Sequence, residues 1–153
     1  MTTNATPRGR GRPRRAEADA EILDAALTLL RTGGYRELSL DEVARRAGTA
    51  KSSIYRRWPS KAALAAEIVR REAPPPHAAA DANAALRAFE ELLDGPLGGV
   101  VASLIGEAQE SAETRAMVVA LVAPYRQLLL RFADDDAADR LLGAVLFRRL
   151  LGA

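Results

Sequence analysis

The sequence predicts an all-α protein. Apolar residues recur every three to four positions through most of the chain, which is the period of an amphipathic helix. No segment alternates between apolar and polar residues as a half-buried strand would, and no internal repeat is found. Alanine and leucine are frequent and aromatic residues make up only 5% of the 153 residues, which also favours helices over sheet.

The chain begins with a basic segment and a first helix. Residues 1–15 are polar, rich in Gly, Pro and Arg, and without periodicity, so we expect them to form a disordered arm. A helix is expected from about Glu17 to Arg31, where the Thr32-Gly33-Gly34 run ends it. Its inward stripe consists of Ile22, Leu23, Ala26, Leu27 and Leu30.

Two short helices around a glycine turn are predicted next. Ser39 and Glu42 have the spacing of a capping box, which opens a helix over Leu40–Ala47. Gly48 stands where a left-handed residue would end that helix. A second helix over Lys51–Trp58 would bury Ile54 and expose small polar and basic side chains. This is a helix-turn-helix, and the exposed residue types suit a DNA groove.

The remaining helices fall on both sides of a proline run. Pro59-Ser60 opens a helix over Lys61–Arg71, and Pro74-Pro75-Pro76 ends it. The predicted organisation is therefore an arm (1–15), a helix-turn-helix domain (16–73), a Pro-rich linker (74–80) and a second helical domain (81–153). The second domain is expected to contain helices over Asp81–Asp94, over Leu97–Glu110, around Met117–Phe132 and over Leu141–Leu151.

Charge is distributed unevenly along the chain. Residues 1–72 carry 15 Lys and Arg against 9 Asp and Glu, a net charge of +6, and residues 73–153 carry 7 against 11, a net charge of −4. The asymmetry favours nucleic-acid binding by the front half. The absence of Cys fits a reducing compartment, and no apolar window is long enough to span a bilayer. We therefore expect no membrane association and a cytoplasmic, nucleoid-associated location.

Candidate catalytic residues are few. The only histidine, His77, follows three prolines in the predicted linker. The aspartates at 134, 135, 136 and 139 are the one cluster that could hold a divalent cation, but a solvated loop in which one aspartate caps the next helix is the favoured interpretation. We expect no enzyme activity, no metal and no cofactor.

Several motifs resemble those of a known family, the TetR/AcrR bacterial transcriptional regulators, over about residues 20–70. They are Leu23-x-x-Ala26-x-x-Leu29, Gly34-Tyr35, Leu40-x-x-Val43-Ala44-x-x-Ala47-Gly48 and Ile54-Tyr55-x-x-Trp58-x-x-Lys61. The resemblance implies a helix-turn-helix domain followed by an antiparallel helical domain for ligand binding and dimerisation. It also implies double-stranded operator DNA as a partner and repression as the usual outcome.

Base recognition is expected at the start of the second helix of the motif, where side chains reach the major groove. These side chains are Thr49, Lys51, Ser52 and Ser53. The alternative is that Thr49 or Ser52 only caps the helix.

Phosphate contacts are expected from Tyr55, Arg56, Arg57 and Lys61, because such contacts supply affinity that depends on salt. In the family, the residues that match Tyr55 and Lys61 commonly touch the DNA backbone. The alternative for Arg56 and Arg57 is a solvated exposed face.

The basic arm resembles an AT-hook, with a Gly11-Arg12-Pro13 core between further arginines. Arg10, Arg12 and Arg14 would enter the narrow minor groove of A·T-rich DNA. The alternative is a basic tail that only increases solubility.

The back half is interpreted through the resemblance. The residues that could line a site for a small apolar or amphipathic effector are Phe89, Leu93, Leu104, Met117, Leu121 and Tyr125, although such stripes usually form core. Family members normally continue past the equivalent of Leu141–Leu151 into another helix of the dimer bundle, so we expect a smaller homodimer interface. The predicted function is a sequence-specific regulator, a repressor that its effector releases from a palindromic operator; the alternative is an architectural protein that prefers A·T-rich DNA and has no effector.

Overall fold

The computed structural model of the chain describes residues 11–73 and 78–152, with only the backbone described for residues 11–15. The fold of these residues is all-α, as predicted. They form eight helices: α1 (Gly11–Glu37), α2 (Leu40–Arg46), α3 (Lys51–Tyr55), α4 (Lys61–Glu72), α5 (Ala82–Asp94), α6 (Gly98–Glu107), α7 (Ala112–Leu129) and α8 (Asp135–Leu151).

The first helix is longer than predicted at both ends. It begins at Gly11 rather than near Glu17, so the last five residues of the predicted arm are helical. Pro13 does not prevent this, because a proline in the first turn lacks an amide hydrogen that would have no partner there. The predicted glycine stop is confirmed as an interruption at Gly34, which has φ 70° and ψ −175°.

The turn of the helix-turn-helix is built as predicted around Gly48, which has φ 59°. The amide of Thr49 donates to the carbonyl of Ala44 (3.0 Å), and the amide of Gly48 donates to the carbonyl of Arg45 (3.4 Å). This pair of hydrogen bonds is a Schellman motif. It ends α2 and fixes the direction in which α3 begins.

Two local predictions about this motif are wrong. Ser39 occupies the N-cap position of α2, but its side chain makes no capping hydrogen bond, and Glu42 binds Arg45 and Arg46 (2.5–2.8 Å). Two guanidinium partners bind the Glu42 carboxylate through charge-assisted hydrogen bonds, in place of the Ser39 amide that a capping box would supply. The second helix ends at Tyr55 rather than Trp58, since the residue before Pro59 is disfavoured in helical conformation.

The fourth helix connects the two halves of the molecule. Ser60 caps α4 by accepting a hydrogen bond from the amide of Ala63 (3.1 Å). The helix packs against α1 on one side and against α6 and α7 on the other. The buried residues that make these contacts are Ala62, Leu64, Ala65, Ile68 and Val69. Residues 74–77, which contain the proline run, lie outside the described residues.

The back half is a helical layer in which α5 packs against α6, α7 and α8. Its core includes the tilted aromatic pair of Phe89 and Tyr125, whose ring centroids are 5.3 Å apart. The predicted capping role of the aspartate run is confirmed: Asp134 accepts a hydrogen bond from the amide of Ala137 (2.8 Å) and opens α8. No helix in the described part of the chain is long and apolar enough to cross a membrane.

Candidate nucleic-acid interface

The second helix of the motif presents four of its predicted contact residues to solvent. Lys51, Ser52, Tyr55 and Arg56 are exposed, whereas Thr49 and Ser53 are half-buried. No side chain caps α3, whose N-cap residue is Ala50, so the capping role considered for Thr49 or Ser52 is not seen. Short hydroxyls and a cation on an exposed helix are the groups that meet base edges in a major groove.

Lys51 is held by an acidic neighbour. Its Nζ atom lies 2.8 Å from Oδ1 of Asp41 and 5.8 Å from the centroid of the Tyr55 ring. The hydrogen bond to Asp41 raises the pKa of Lys51, so this side chain is a cation at any physiological pH. Asp41 belongs to the first turn of α2, which links the two helices of the motif electrostatically.

Arg57 does not lie on the exposed face. Its side chain is 11% exposed and its Nε atom forms an ion pair with Oδ1 of Asp19 on α1. A second guanidinium nitrogen donates to the carbonyl of Ser53 (2.8 Å). The prediction that paired Arg57 with Arg56 on one surface is therefore corrected: the two neighbours point in different directions.

Lys61 lies at the junction between the two halves. It is half-buried, donates to the carbonyl of Arg36 (3.2 Å) and lies 4.5 Å from the centroid of the Tyr35 ring. Burial lowers the pKa of Lys61. Its predicted phosphate contact stays a prediction. In that contact the ammonium would bind a phosphate either beside the Tyr35 ring or after leaving it.

Tyr35 extends this junction into the back half. Its hydroxyl donates to Glu107 at the end of α6 (2.5 Å), and Glu107 also accepts a hydrogen bond from the buried Thr114 on α7 (3.1 Å). Burial, followed by the contact with Glu107, raises the pKa of Tyr35. Sequence reasoning did not find this connection, because Tyr35 and Glu107 are distant in the chain.

The predicted arm residues are only partly described. Arg10 lies outside the described residues. Arg12 and Arg14 belong to the first turns of α1, and only their backbone is described. The minor-groove prediction stays a prediction.

The predicted effector residues divide into two groups. Phe89, Leu104 and Tyr125 are fully packed in the core. Met117 and Leu121 instead line a surface groove of about 220 Å³ between α4 and α7. Leu93 is half-buried and is not part of that groove. The other residues that line the groove are Ala63, Ala66, Glu67, Arg70 and Ala120.

The aspartates that follow α7 are engaged in ion pairs. Arg126 of α7 binds Asp135 and Asp139 of α8 (both 2.6 Å). Within the described residues no group of three or more acidic or histidine side chains could hold a metal ion.

One face of α8 is exposed and apolar. Phe147, Leu150 and Leu151 are 59%, 41% and 68% exposed, and the small residues Gly143 and Ala144 share the same helical face. A face of this kind allows a second helix to approach closely.

A helix pair with a Schellman turn on a third helix is the architecture of helix-turn-helix DNA-binding proteins. Residues 22–68 match a family described as "Bacterial regulatory proteins, tetR family". The fold resembles the crystal structure of the TetR family transcription regulator SCO0332, with a TM-score of 0.67 and 32% identity, over 89% of this chain and 87% of that one. The chain belongs to the TetR family of bacterial transcriptional regulators.

Two curated relatives extend the comparison. The uncharacterized HTH-type transcriptional regulator Rv1556 of Mycobacterium tuberculosis is 29% identical over 128 residues, a match that covers 80% of this chain and 63% of the relative. The HTH-type transcriptional regulator EthR of Mycolicibacterium smegmatis is 38% identical over 74 residues, which cover 45% of this chain and 34% of the relative. The match with this chain thus spans about 63% of the length of Rv1556.

Proposed function

We propose that this protein is a sequence-specific repressor that binds a palindromic operator as a homodimer and is released by a small apolar or amphipathic effector. The observation that carries the proposal is the exposed row of Lys51, Ser52 and Tyr55 on a helix whose entry is fixed by the Gly48 turn, with exposed Arg56 directly after that helix. The basic front half supports DNA as the partner.

The test is selection of bound sequences from a random duplex pool. It is run with the full chain and with a variant in which Arg10, Arg12 and Arg14 are replaced by alanine, which is compatible with helix. A palindrome with half-sites about 10 bp apart supports a dimeric regulator. Its survival in the variant assigns specificity to α3, and loss of flanking A·T preference assigns the arm to the minor groove. Recovery of diffuse A·T-rich DNA alone would favour an architectural protein.

The groove between α4 and α7 is the proposed effector site. Most of its lining residues are apolar, and the ion pair of Arg70 and Glu67 (2.7 Å) also lines it, which suits a ligand with one polar end. A ligand there would push α4 relative to α7, and α4 begins at Lys61 beside the DNA module. Release follows only if the ligand binds the free and DNA-bound states with different affinity.

A bulky residue in the groove tests this site. Anilinonaphthalene sulfonate is the probe, and we expect Ala120→Trp to abolish its fluorescence enhancement. Val119→Trp is the control, because Val119 is exposed on the same helix but does not line the groove. Equal probe binding by both variants would exclude the groove as the effector site. A bound probe that leaves operator affinity unchanged would show that ligand binding there does not displace α4 in a way that releases DNA.

A further inference from the structure

The recognition helix has few contacts that fix its orientation. It spans only five residues, Lys51–Tyr55, and its one fully buried side chain is Ile54. It packs against α2 and has no side-chain cap. A helix this short is not stable by itself, so its orientation must depend on contacts made just beyond its ends.

Arg57 supplies such a contact. It lies two residues after α3, and its guanidinium reaches back to the carbonyl of Ser53, inside the helix. The same guanidinium forms the ion pair with Asp19 of α1, and the two paired atoms, Nε and Oδ1, are shielded from water. Arg57 therefore ties the backbone of the recognition helix to the first helix of the domain.

Asp19 is the fixed end of this connection. It lies three and four residues before Ile22 and Leu23, whose side chains are in the core, so it shares the inward stripe of α1. A planar guanidinium held by a carboxylate on one edge and a carbonyl on another has a defined orientation. Removing one partner of this partly buried pair leaves the other charge without its counter-ion.

We propose that Asp19 is a positioning residue for DNA recognition, which acts through Arg57 to set the angle of α3 relative to α1. This inference rests on the proposed function, since it concerns the same interface. It assigns Asp19 a role in sequence discrimination although its carboxylate pairs with Arg57 and not with an exposed side chain of α3.

The experiment compares Asp19→Asn with Asp24→Asn in the full chain. Both changes remove one negative charge from α1, and Asp24 is exposed. If the acids acted only through charge, both variants would bind any DNA slightly more tightly. The affinities for the selected operator and for a scrambled duplex of the same length are measured by fluorescence anisotropy, below the unfolding temperature of each variant.

We expect Asp19→Asn to lower the ratio of operator to scrambled affinity by at least about tenfold, the scale of one mismatched base pair. Asp24→Asn should leave that ratio unchanged. Asp19→Glu keeps the charge and should restore part of the ratio, which a change in stability alone would not explain. In an Arg57→Met background, Asp19→Asn should have no further effect on the ratio.

Two results would overturn the inference. If Asp19→Asn and Asp24→Asn give the same ratio as the unmodified chain, Asp19 does not position α3, and the proposed function is unaffected. If the unmodified chain itself does not distinguish the two duplexes, the proposed function fails and this inference fails with it.

Discussion

At the scale of single residues, the contact between Tyr35 and Glu107 makes a prediction about pH. Because the folded protein raises the pKa of Tyr35 above its usual value near ~10, the stabilisation from this group is complete below that value and is lost as pH rises through the folded pKa. We expect Tyr35→Phe to lower the free energy of unfolding by about 1–2 kcal/mol at neutral pH and to remove this alkaline dependence.

The measurement is a tyrosinate absorbance titration of the unmodified chain, Tyr35→Phe and Glu107→Gln, together with thermal unfolding across the alkaline range. Burial is the largest cause of the shift, so Tyr35 in Glu107→Gln should titrate lower than in the unmodified chain but still above a free tyrosine. An ordinary titration of Tyr35 in the unmodified chain would show that the contact does not form.

The sequence predicted the exposed side chains of the DNA-binding helix but not the direction of the Arg57 side chain. The exposed positions of Lys51, Ser52 and Tyr55 followed from helical spacing. Adjacent arginines have the same chemistry, and only the ion pair with Asp19 of α1 distinguishes half-buried Arg57 from exposed Arg56. One signal was present: Asp19 is a charge on the inward stripe of α1, and a charge in that position requires a partner.

At the scale of helices, the corner between α5 and α6 makes a prediction about stability. A Cβ atom added to Gly98 would lie 1.8 Å from the carbonyl oxygen of Leu93, whereas one added to Gly99 would meet nothing within 4 Å. We expect Gly98→Ala to cost about 1–3 kcal/mol or more, and Gly99→Ala to be neutral or stabilising by up to about 1 kcal/mol. Urea unfolding of both variants measures the difference, and equal midpoints would contradict the close approach at this corner.

Helix existence was predicted more successfully than helix ends. The stripes that bury Ile22, Ile54 and Leu142 define which segments are helical, because burial of an apolar face depends on spacing alone. Ends depend on local competition for hydrogen bonds. Glu42 binds its arginine neighbours and not the amide of Ser39. The sixth helix ends at Glu107 rather than Glu110, because a turn precedes the Ser111 cap of α7.

At the scale of the whole molecule, the two halves are joined by apolar and polar contacts. The buried face of α4 packs on α1, α6 and α7, and the hydrogen bonds of Tyr35 and of Ser60, which donates to Glu113 of α7 (3.3 Å), lie at the DNA-module end of that helix. A displacement of α4 must change these polar contacts. This arrangement gives the proposed effector groove a physical connection to Lys61.

The exposed apolar face of α8 makes the last prediction, about assembly. A dimeric helix-turn-helix protein must hold its recognition helices roughly 34 Å apart to reach successive major grooves, so loss of the dimer must weaken operator binding. We expect Phe147→Asp to convert the proposed dimer to monomer, because it places a charge in the centre of the apolar face, and to reduce operator affinity by more than about tenfold. Sedimentation equilibrium and a gel-shift titration measure the two effects.

Val119→Asp is the matched control for this prediction. Val119 is 62% exposed but lies on α7, so this variant should remain dimeric. A Phe147→Asp variant that stays dimeric would place the interface elsewhere, and one that becomes monomeric with full operator affinity would show that the site is recognised by a single copy.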